Sequence, residues 1–199
     1  MIDEKAIDDL SAAYPPAEAR SESSERAAGV ALGASMIAMG LISGVYYAFS
    51  CAVMPGLARA DDRTFLDVMR RINDAIVNPM FMLSFFGAFA LTGTAVALQR
   101  RLGKRKATPW IVAAAALYGA ALAVTVAANI PLNDEIARPR SLDAVADLAG
   151  LRQRFEGPWN FWNGVRGLAS VAAFACLGRA LVLHGREGAR RLTENSAGR

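Results

Sequence analysis

The sequence is poor in the side chains that most often bind metals or perform covalent catalysis. Its 199 residues include one histidine and two cysteines, Cys51 and Cys176, which lie far apart without a C-x-x-C spacing. This set is too small for the histidine- or cysteine-rich clusters that bind zinc, iron or copper, and it excludes a Ser/His/Asp or Cys/His nucleophile set. Glycine-rich phosphate loops and nucleotide fingerprints are also absent. We therefore expect no cofactor, and we predict that both cysteines are buried free thiols.

Charge is scarce as well, and it is missing from long continuous runs. Charged residues make up 20% of the chain, below the roughly 25% of an average soluble domain. Residues 27–58, 75–99 and 107–133 carry none. Each run exceeds the roughly 20 residues that a helix needs to cross a bilayer, and a fourth run, 167–178, reaches that length if it extends from Trp159 to His184. The sequence predicts an all-α integral membrane four-helix bundle with spans at about 29–54, 79–99, 109–131 and 160–182.

The termini differ from these runs. Residues 1–26 are rich in acids, which does not fit the n-region of a signal peptide, so we predict a disordered cytoplasmic tail there. Residues 27–184 form the predicted transmembrane domain, and residues 185–199 a second cytoplasmic tail. Three lysines against nineteen arginines, with much alanine, indicate a GC-rich bacterial genome.

Positive charge indicates the orientation. Residues 100–106 between spans 2 and 3 hold five Lys or Arg side chains and no acid. Because Lys and Arg collect in cytoplasmic loops, we predict a multi-pass protein of the cell membrane with both termini inside. The same rule accounts for the net charge of +4 without a nucleic-acid partner.

The two remaining loops carry helical patterns. In TFLDVMRRINDAIV, apolar residues recur with helical spacing, and Asp61 or Asp62 is placed to cap the helix. In SLDAVADLAGLRQRF the same spacing occurs, with Ser141 as the cap. We predict short amphipathic helices in these two extracytoplasmic loops. They either lie on the membrane surface or, as we favour, fold over the bundle as a lid.

Small residues recur along spans 1 and 3. The rows are Gly29, Gly33, Gly40 and Gly44, and Ala115, Gly119, Ala123 and Ala127. Such rows allow close helix packing in lipid, although glycine is also common in membrane helices generally.

Polar side chains stand where the spans reach one end of the bundle. In WNFWNGVR, Trp159, Asn163 and Arg166 share a helical face, and Trp162 lies four residues before Arg166. An arginine at this depth either faces the bundle interior and finds partners there, as we favour, or reaches the headgroups beside an aromatic belt.

Span 3 leaves the membrane through NIPLN, which places Asn129 and Asn133 on one face. Pro131 frees the carbonyl of Ala127, and irregular backbone at membrane depth is tolerated where it lines protein or a wet cavity; the alternative is a helix that ends there. Asn78 before Pro79 is typical of a helix cap. Asn73 points either inward or to water.

Two tyrosines late in span 1, Tyr46 and Tyr47, either reach this polar end of the bundle or pack in its core. Together these residues describe a neutral amide, tryptophan and arginine pocket. Such a pocket can orient a flat apolar molecule and stabilise negative charge on its oxygen.

The ordered motifs GVYYAFSCAVMPGL, INDAIVNPMF, NIPLNDEI and WNFWNGVRG resemble the anthrone oxygenase family over most of residues 30–180. The resemblance implies a four-helix membrane protein linked to polyketide pathways, which oxidises an anthrone to an anthraquinone with O₂ and without metal or flavin. Its motifs match at Asn129, Asn133, Trp159, Asn163 and Arg166.

On this basis we expect a cofactor-independent membrane monooxygenase, an oxidoreductase for an anthrone-like phenolic polycycle. Its expected partners are membrane lipid, a small apolar aromatic substrate and O₂, and a homo-oligomer is compatible with the pattern. The expected residues fall into three groups: catalytic Arg166, Asn163, Asn129 and Asn133; substrate-binding Trp159, Trp162, Tyr46 and Tyr47; and Asp134 or Glu135 as the base.

Two alternatives stay open. One is a non-catalytic membrane protein that binds a lipid or quinone-like molecule or supports a partner protein. The other is a small transporter subunit, although the spans carry no acid for proton coupling.

Overall fold

Four long helices run up and down beside one another. The computed structural model describes the backbone of residues 17–197 and the side chains of residues 22–190. Within that part of the chain there is no strand, and four helical segments are long and apolar enough to cross a membrane. We call them spans 1 to 4: Glu22–Leu57, Pro79–Arg101, Thr108–Ala137 and Leu148–Arg190. The predicted all-α membrane bundle of four spans is confirmed.

Spans 1 and 3 are each interrupted by a wide turn. Span 1 belongs to the helix Ala17–Ala48, which continues through a π-helical turn, Phe49–Val53, into a last turn, Met54–Leu57. Span 3 comprises Thr108–Val124, a π-helical turn at Thr125–Asn129, and Ile130–Ala137. Span 2 is the helix Pro79–Arg101, and span 4 lies within the helix Leu148–Ala197. Spans 1 and 3 each pack against both spans 2 and 4.

Several boundaries differ from the prediction. Of the predicted N-terminal tail, residues 1–16 lie outside the described part of the chain, whereas the helix of span 1 begins at Ala17. Span 3 continues past Pro131, and the helix of span 4 includes Pro158. Proline removes a backbone donor and its ring clashes with the preceding turn, but the wide turn before Pro131 relieves that clash. The same helix extends to Ala197, into the predicted C-terminal tail; no proline follows Pro158 to end it.

The first loop forms a helix, Asp62–Ile76, which we call the lid helix. Asp61 caps it, since its Oδ1 accepts from the Thr64 backbone N–H at 3.0 Å. On its inner face Phe65, Leu66 and Met69 are fully buried. They pack against Ile136, Phe155 and Trp159 at the end of the bundle. The lid helix therefore folds over the bundle.

The second loop differs from the prediction. Ser141 caps a short 3₁₀ turn, Leu142–Ala144, by accepting from the Asp143 backbone N–H. Leu148 and Phe155 belong to the first turns of the span 4 helix, so there is no separate amphipathic helix over residues 141–155. Leu142 and Val145 of the predicted stripe belong to the 3₁₀ turn and its end, whereas Leu148 and Phe155 belong to a helix that continues into the membrane segment.

Arg152 connects span 4 to the start of the lid helix. Its Nη1 donates to the Ala60 carbonyl at 2.9 Å and to Asp62 Oδ1 at 3.0 Å, and its Nη2 donates to the Ala58 carbonyl at 3.1 Å. The guanidinium also lies 4.4 Å from the centre of the Phe65 ring. One partly buried arginine thus holds both the backbone before the lid helix and its first turn.

Glycine permits close packing at two positions of span 1. A Cβ on Gly40 would lie 3.1 Å from Phe174 of span 4, and a Cβ on Gly29 would lie 3.2 Å from His184. Gly33 and Gly44 face open space. In span 3 the buried face differs from the predicted row of small residues; it consists of Ile111, Ala114, Tyr118, Ala121 and Thr125. Tyr118 sets which face of span 3 is buried, because its hydroxyl donates to the Phe85 carbonyl of span 2 at 2.8 Å.

Candidate functional site

The two π-helical turns bring polar groups to the lid-covered end of the bundle. Each turn ends one residue before an X-Pro pair, Met54-Pro55 in span 1 and Ile130-Pro131 in span 3. A π turn contains one extra residue, so a helix carbonyl loses its usual partner and side chains beyond the turn change direction. Ser50 lies in the first turn and Asn129 in the second, and both belong to the site described next.

Asn163 and Arg166 of span 4 form the centre of this site. Arg166 donates to Asn163 Oδ1 from Nη2 at 3.0 Å and from Nε at 3.3 Å. Asn163 Nδ2 donates in turn to Ser50 Oγ at 2.8 Å and to the Tyr46 carbonyl at 3.1 Å. Both Asn163 and Arg166 are buried. The amide therefore orients the guanidinium and ties it to the wide turn of span 1.

Aromatic faces surround the guanidinium. The Arg166 Cζ lies 4.5 Å from the centre of the Tyr46 ring and 5.3 Å from that of Trp159. Among the described residues, no carboxylate lies within ion-pair distance of Arg166. Arg166 thus faces the bundle interior, as favoured above, and its charge is compensated only by π-electron density and amide dipoles. Such an arginine can accept an anion.

Span 3 contributes the two asparagines. Trp159 Nε1 donates to Asn133 Oδ1 at 2.9 Å, and Asn129 Nδ2 donates to the Trp159 carbonyl at 3.4 Å. The Asn129 Oδ1 and the Tyr46 hydroxyl are buried and have no hydrogen-bond partner among the described residues; the Tyr46 hydroxyl faces Thr125 without normal hydrogen-bond geometry. An unmet buried polar group costs about 1–3 kcal/mol, so a hydrogen bond from a ligand to either atom would be favourable.

The lid helix carries two buried donors at the same end of the bundle, and the sequence analysis did not assign either to the site. Arg70 Nε donates to the Ile136 carbonyl, whereas its Nη2 is buried without a partner among the described residues. Asn73 Nδ2 is buried in the same way. The two residues are three apart, so they share the inner face of the lid helix. The sequence could have indicated this burial, because Leu66, Arg70 and Asn73 are spaced four and three residues apart and therefore lie on one face of the helix.

Some predicted site residues lie elsewhere. Tyr47 is 67% exposed, and Trp162 is 36% exposed and packs on Phe161. Each follows or precedes a buried site residue by one position, and one position turns a helix by about 100°. The structure therefore places both on the outer surface, away from the guanidinium.

The predicted bases are also apart from the cluster. Asp134 is exposed. Glu135 Oε1 accepts from Arg154 Nε at 3.0 Å. They are turned by about 100° and 200° from Asn133 on the same helix. Neither carboxylate contacts the amide and guanidinium groups among the described residues.

Two further predictions concern single side chains. Asn78 caps span 2, as predicted, because its Oδ1 accepts from the Phe81 backbone N–H at 3.0 Å. Both cysteines are free thiols, but Cys51 is exposed and Cys176 is only partly buried, so the prediction that both are buried is wrong. Cys51 lies in the first π turn, one residue after Ser50, and the turn directs it outward.

The site is closed in this structure. Asn129, Asn163 and Trp159 are each at most 2% exposed. The lid helix covers Trp159 through Phe65 and its neighbours. A ligand of more than a few atoms therefore reaches Arg166 only when the lid helix or the aromatic side chains move.

Comparison with known proteins adds one finding. Residues 80–176 match the family model described as Anthrone oxygenase. The match begins at the start of span 2, contains all of span 3 and ends within span 4, so it includes Asn129, Asn163 and Arg166. In the other two comparisons, neither a curated protein nor a solved structure matched the chain. Through residues 80–176, just under half of its length, the chain is similar to the anthrone oxygenase family.

Proposed function

We propose that this protein oxidises an anthrone-like phenolic polycycle with O₂, as a membrane monooxygenase that uses neither metal nor flavin. The observation that carries the proposal is the buried Arg166 guanidinium, which has aromatic faces and an amide around it and no carboxylate partner among the described residues. The side chains of the site are amides, a guanidinium, an indole, a phenol and hydroxyls. This set suits binding of a flat oxyanion better than metal coordination.

The first step is capture of the substrate as its enolate. Loss of a proton from the methylene carbon of an anthrone places negative charge on the carbonyl oxygen. Arg166 holds that oxygen through charge-assisted hydrogen bonds, which are strong in a water-poor site. Asn163 keeps the guanidinium in place, and the rings of Tyr46 and Trp159 offer faces for stacking.

The second step is oxidation by O₂. The enolate passes one electron to O₂, giving a carbon-centred radical and superoxide, which combine to form a C–O bond. The peroxide anion takes up a proton to become a hydroperoxide. Loss of the remaining C–H proton and of hydroxide then breaks the O–O bond and gives the quinone carbonyl and water. One oxygen atom of O₂ enters the product and the other leaves as water, so no external reductant is needed.

The buried polar atoms that lack a hydrogen-bond partner among the described residues supply the remaining contacts to the substrate. The free Asn129 Oδ1 accepts from a phenolic hydroxyl of the substrate, and Asn133 holds the Trp159 indole in position. When the lid helix closes, Arg70 and Asn73 donate to a second substrate oxygen. This arrangement favours a polycycle with oxygen substituents at two separated positions.

We propose that the initial proton passes to water while the lid is open, and that Arg166 selects the resulting anion. Asp134 and Glu135 are the other candidates for the base, since both lie one to two residues beyond Asn133. A carboxylate base would act as a proton acceptor within hydrogen-bond reach of the methylene carbon. A direct test of this choice is given in the Discussion.

The proposed location follows from the charge pattern. With five basic residues among positions 100–106, at the end of span 2 and in the loop that follows it, we propose a bacterial cell membrane with both termini inside and the lid helix outside. Apolar substrates and O₂ both dissolve in the bilayer, which supports a reaction centre inside a membrane bundle. The class of substrate suggests a polyketide pathway.

The test uses the purified full chain in detergent, treated with a chelator. Dihydroxyanthrone is supplied in air-saturated buffer, and O₂ uptake and quinone absorbance are followed against a detergent blank. We expect one O₂ consumed for each quinone formed, at a rate that the chelator does not change. If no anthrone raises O₂ uptake above the blank, but a quinone still raises the unfolding temperature, the protein is a non-catalytic binder of quinone-like molecules.

A further inference from the structure

A second feature lies at the opposite end of the bundle, beside the loop between spans 2 and 3. There the structure has a cavity of about 510 Å³, within the range of small-molecule sites. It is bordered by Arg100 at the end of span 2, by Lys104 and Arg105 in the loop, and by Thr108, Pro109 and Val112 at the start of span 3. Nothing in the proposed oxidation uses this cavity.

Positive charge dominates the rim of the cavity. Residues 99–106 contain no acid. Arg100 and Arg105 are exposed and have no ion-pair partner among the described residues. The Lys104 side chain is 1% exposed; its Nζ lies 3.6 Å from Glu25 Oε1 and makes no hydrogen bond within the described part of the chain. Three cations therefore border one cavity, and one of the three is a buried ammonium short of acceptors.

The other wall of the cavity is apolar, and the neighbouring surface of span 3 exposes a further apolar side chain. Pro109 is exposed, Val112 is 38% exposed, and the neighbouring Trp110 is 42% exposed. Tryptophan at the end of a span is typical of the interface between headgroups and acyl chains. The cavity thus has a cationic rim on one side and exposed apolar side chains at the start of span 3 on the other.

We propose that this cavity binds the headgroup of an anionic phospholipid, with its phosphate beside Arg100, Lys104 and Arg105 and the start of an acyl chain along Pro109 and Val112. A free phosphate shares the anionic chemistry, but it leaves the apolar wall unused. Such a lipid would fix the loop between spans 2 and 3 at the membrane surface. The proposal does not depend on the oxidation chemistry at the lid-covered end.

The test is lipid binding to the full chain in a neutral detergent, measured as a rise in unfolding temperature. Dioleoyl phosphatidylglycerol, dioleoyl phosphatidylcholine and inorganic phosphate are titrated separately. We expect the first lipid to stabilise the protein with a saturable dose dependence, and the other two to have little effect at equal concentrations. Equal stabilisation by phosphatidylcholine, or by phosphate alone, would overturn the proposal.

Matched variants locate the site. Arg100→Gln with Arg105→Gln should weaken phosphatidylglycerol binding by roughly tenfold or more. The control, Arg186→Gln with Arg190→Gln, removes the same charge from exposed positions outside the cavity, and its affinity should stay within about twofold. If both double variants lose affinity equally, the binding is general charge attraction and the site is wrong.

A third variant, Val112→Trp, narrows the apolar side of the cavity without changing charge. It should also weaken binding of phosphatidylglycerol, and it keeps the proposal testable if the arginine variant fails to fold. Unchanged binding in Val112→Trp would contradict an acyl chain at this wall.

Discussion

A single buried cation determines what the site can do. Arg166 costs desolvation energy where it lies, and its amide and aromatic neighbours compensate that cost only in part. In a purely structural role, a leucine or glutamine would fit the bundle at lower cost. The arginine therefore suits the anion-binding role that we propose for it.

The first prediction concerns Arg166→Gln. Loss of the charge-assisted contact to the enolate should lower kcat/KM for a dihydroxyanthrone by about a hundredfold, or about 3 kcal/mol of transition-state stabilisation. The unfolding temperature should change little, because the variant also removes a buried charge. Arg179→Gln, on the exposed side of the same span, is the control and should keep normal activity. Activity of Arg166→Gln within threefold of the unaltered protein would contradict the assignment.

The second prediction concerns the base. Neither Asp134 nor Glu135 contacts the cluster, so the double variant Asp134→Asn with Glu135→Gln should retain kcat within about threefold. A general base contributes about 10²–10⁴-fold. A fall of that size, with the helical content and unfolding temperature preserved, would show that one of the two carboxylates takes the proton.

At the scale of elements, the lid helix decides access to the site. It rests on an apolar contact through Phe65, Leu66 and Met69, and Arg152 fixes its start. In Arg152→Gln we expect amide hydrogen exchange over residues 62–76 to be about tenfold faster, which corresponds to the loss of charged hydrogen bonds worth about 1.4 kcal/mol. Exchange in spans 1 to 4 should be unchanged. Arg154→Gln, two residues further on the exposed side, is the control and should leave the lid helix as protected as before.

Acid should loosen the same helix. The Thr64 hydroxyl and backbone N–H that bond to Asp61 lower the pKa of this carboxyl. A carboxyl with a lowered folded-state pKa contributes stability above its unfolded value, roughly pH 4, and that stability is lost as the pH falls through the folded value. The protection of the lid helix, measured as its exchange rate relative to that of an unstructured chain at the same pH, should therefore fall below about pH 4. Asp61→Asn keeps a capping oxygen without a charge, so in this variant the protection of the lid helix should not show this fall at low pH.

The elements show which parts of the fold the sequence could predict. Span 2 was predicted at 79–99 and is found at Pro79–Arg101, because a capping Asn78, a proline at the first turn and basic residues at the end are local signals. The beginning of span 4 was missed by about twelve residues. Gly157 and Pro158 are usually helix breakers, and only packing of the preceding turns against the lid helix shows that the helix continues through them.

The candidate site also contains residues that the sequence could predict and residues that it could not. Asn129, Asn163 and Arg166 could be found because a polar residue inside an apolar run has few structural reasons to be there. Trp162 was misplaced because it lies at the edge of a helical face, where spacing alone does not decide between inside and outside. Arg70 was missed because arginine is expected on an amphipathic loop helix, and only the fold shows that its side chain turns inward.

At the scale of the whole molecule, the bundle has two polar ends with different characters. The lid-covered end holds a buried arginine among amides and aromatic rings, whereas the other end has a cationic rim that opens to the surface. We therefore expect the lid-covered end to face away from the cytoplasm, since basic loops stay on the cytoplasmic side. This orientation also places the proposed lipid site in the inner leaflet, where anionic headgroups attract basic residues.

The orientation can be tested by labelling of single cysteines in intact cells. Cys51 and Cys176 are first replaced by serine and alanine, and then Arg63→Cys is introduced in the lid helix or Lys106→Cys in the basic loop; both positions are exposed. A membrane-impermeant maleimide should label the Arg63→Cys protein in intact cells, and the Lys106→Cys protein only after the membrane is opened. The reverse pattern would place the lid helix in the cytoplasm and would require the substrate to arrive from that side.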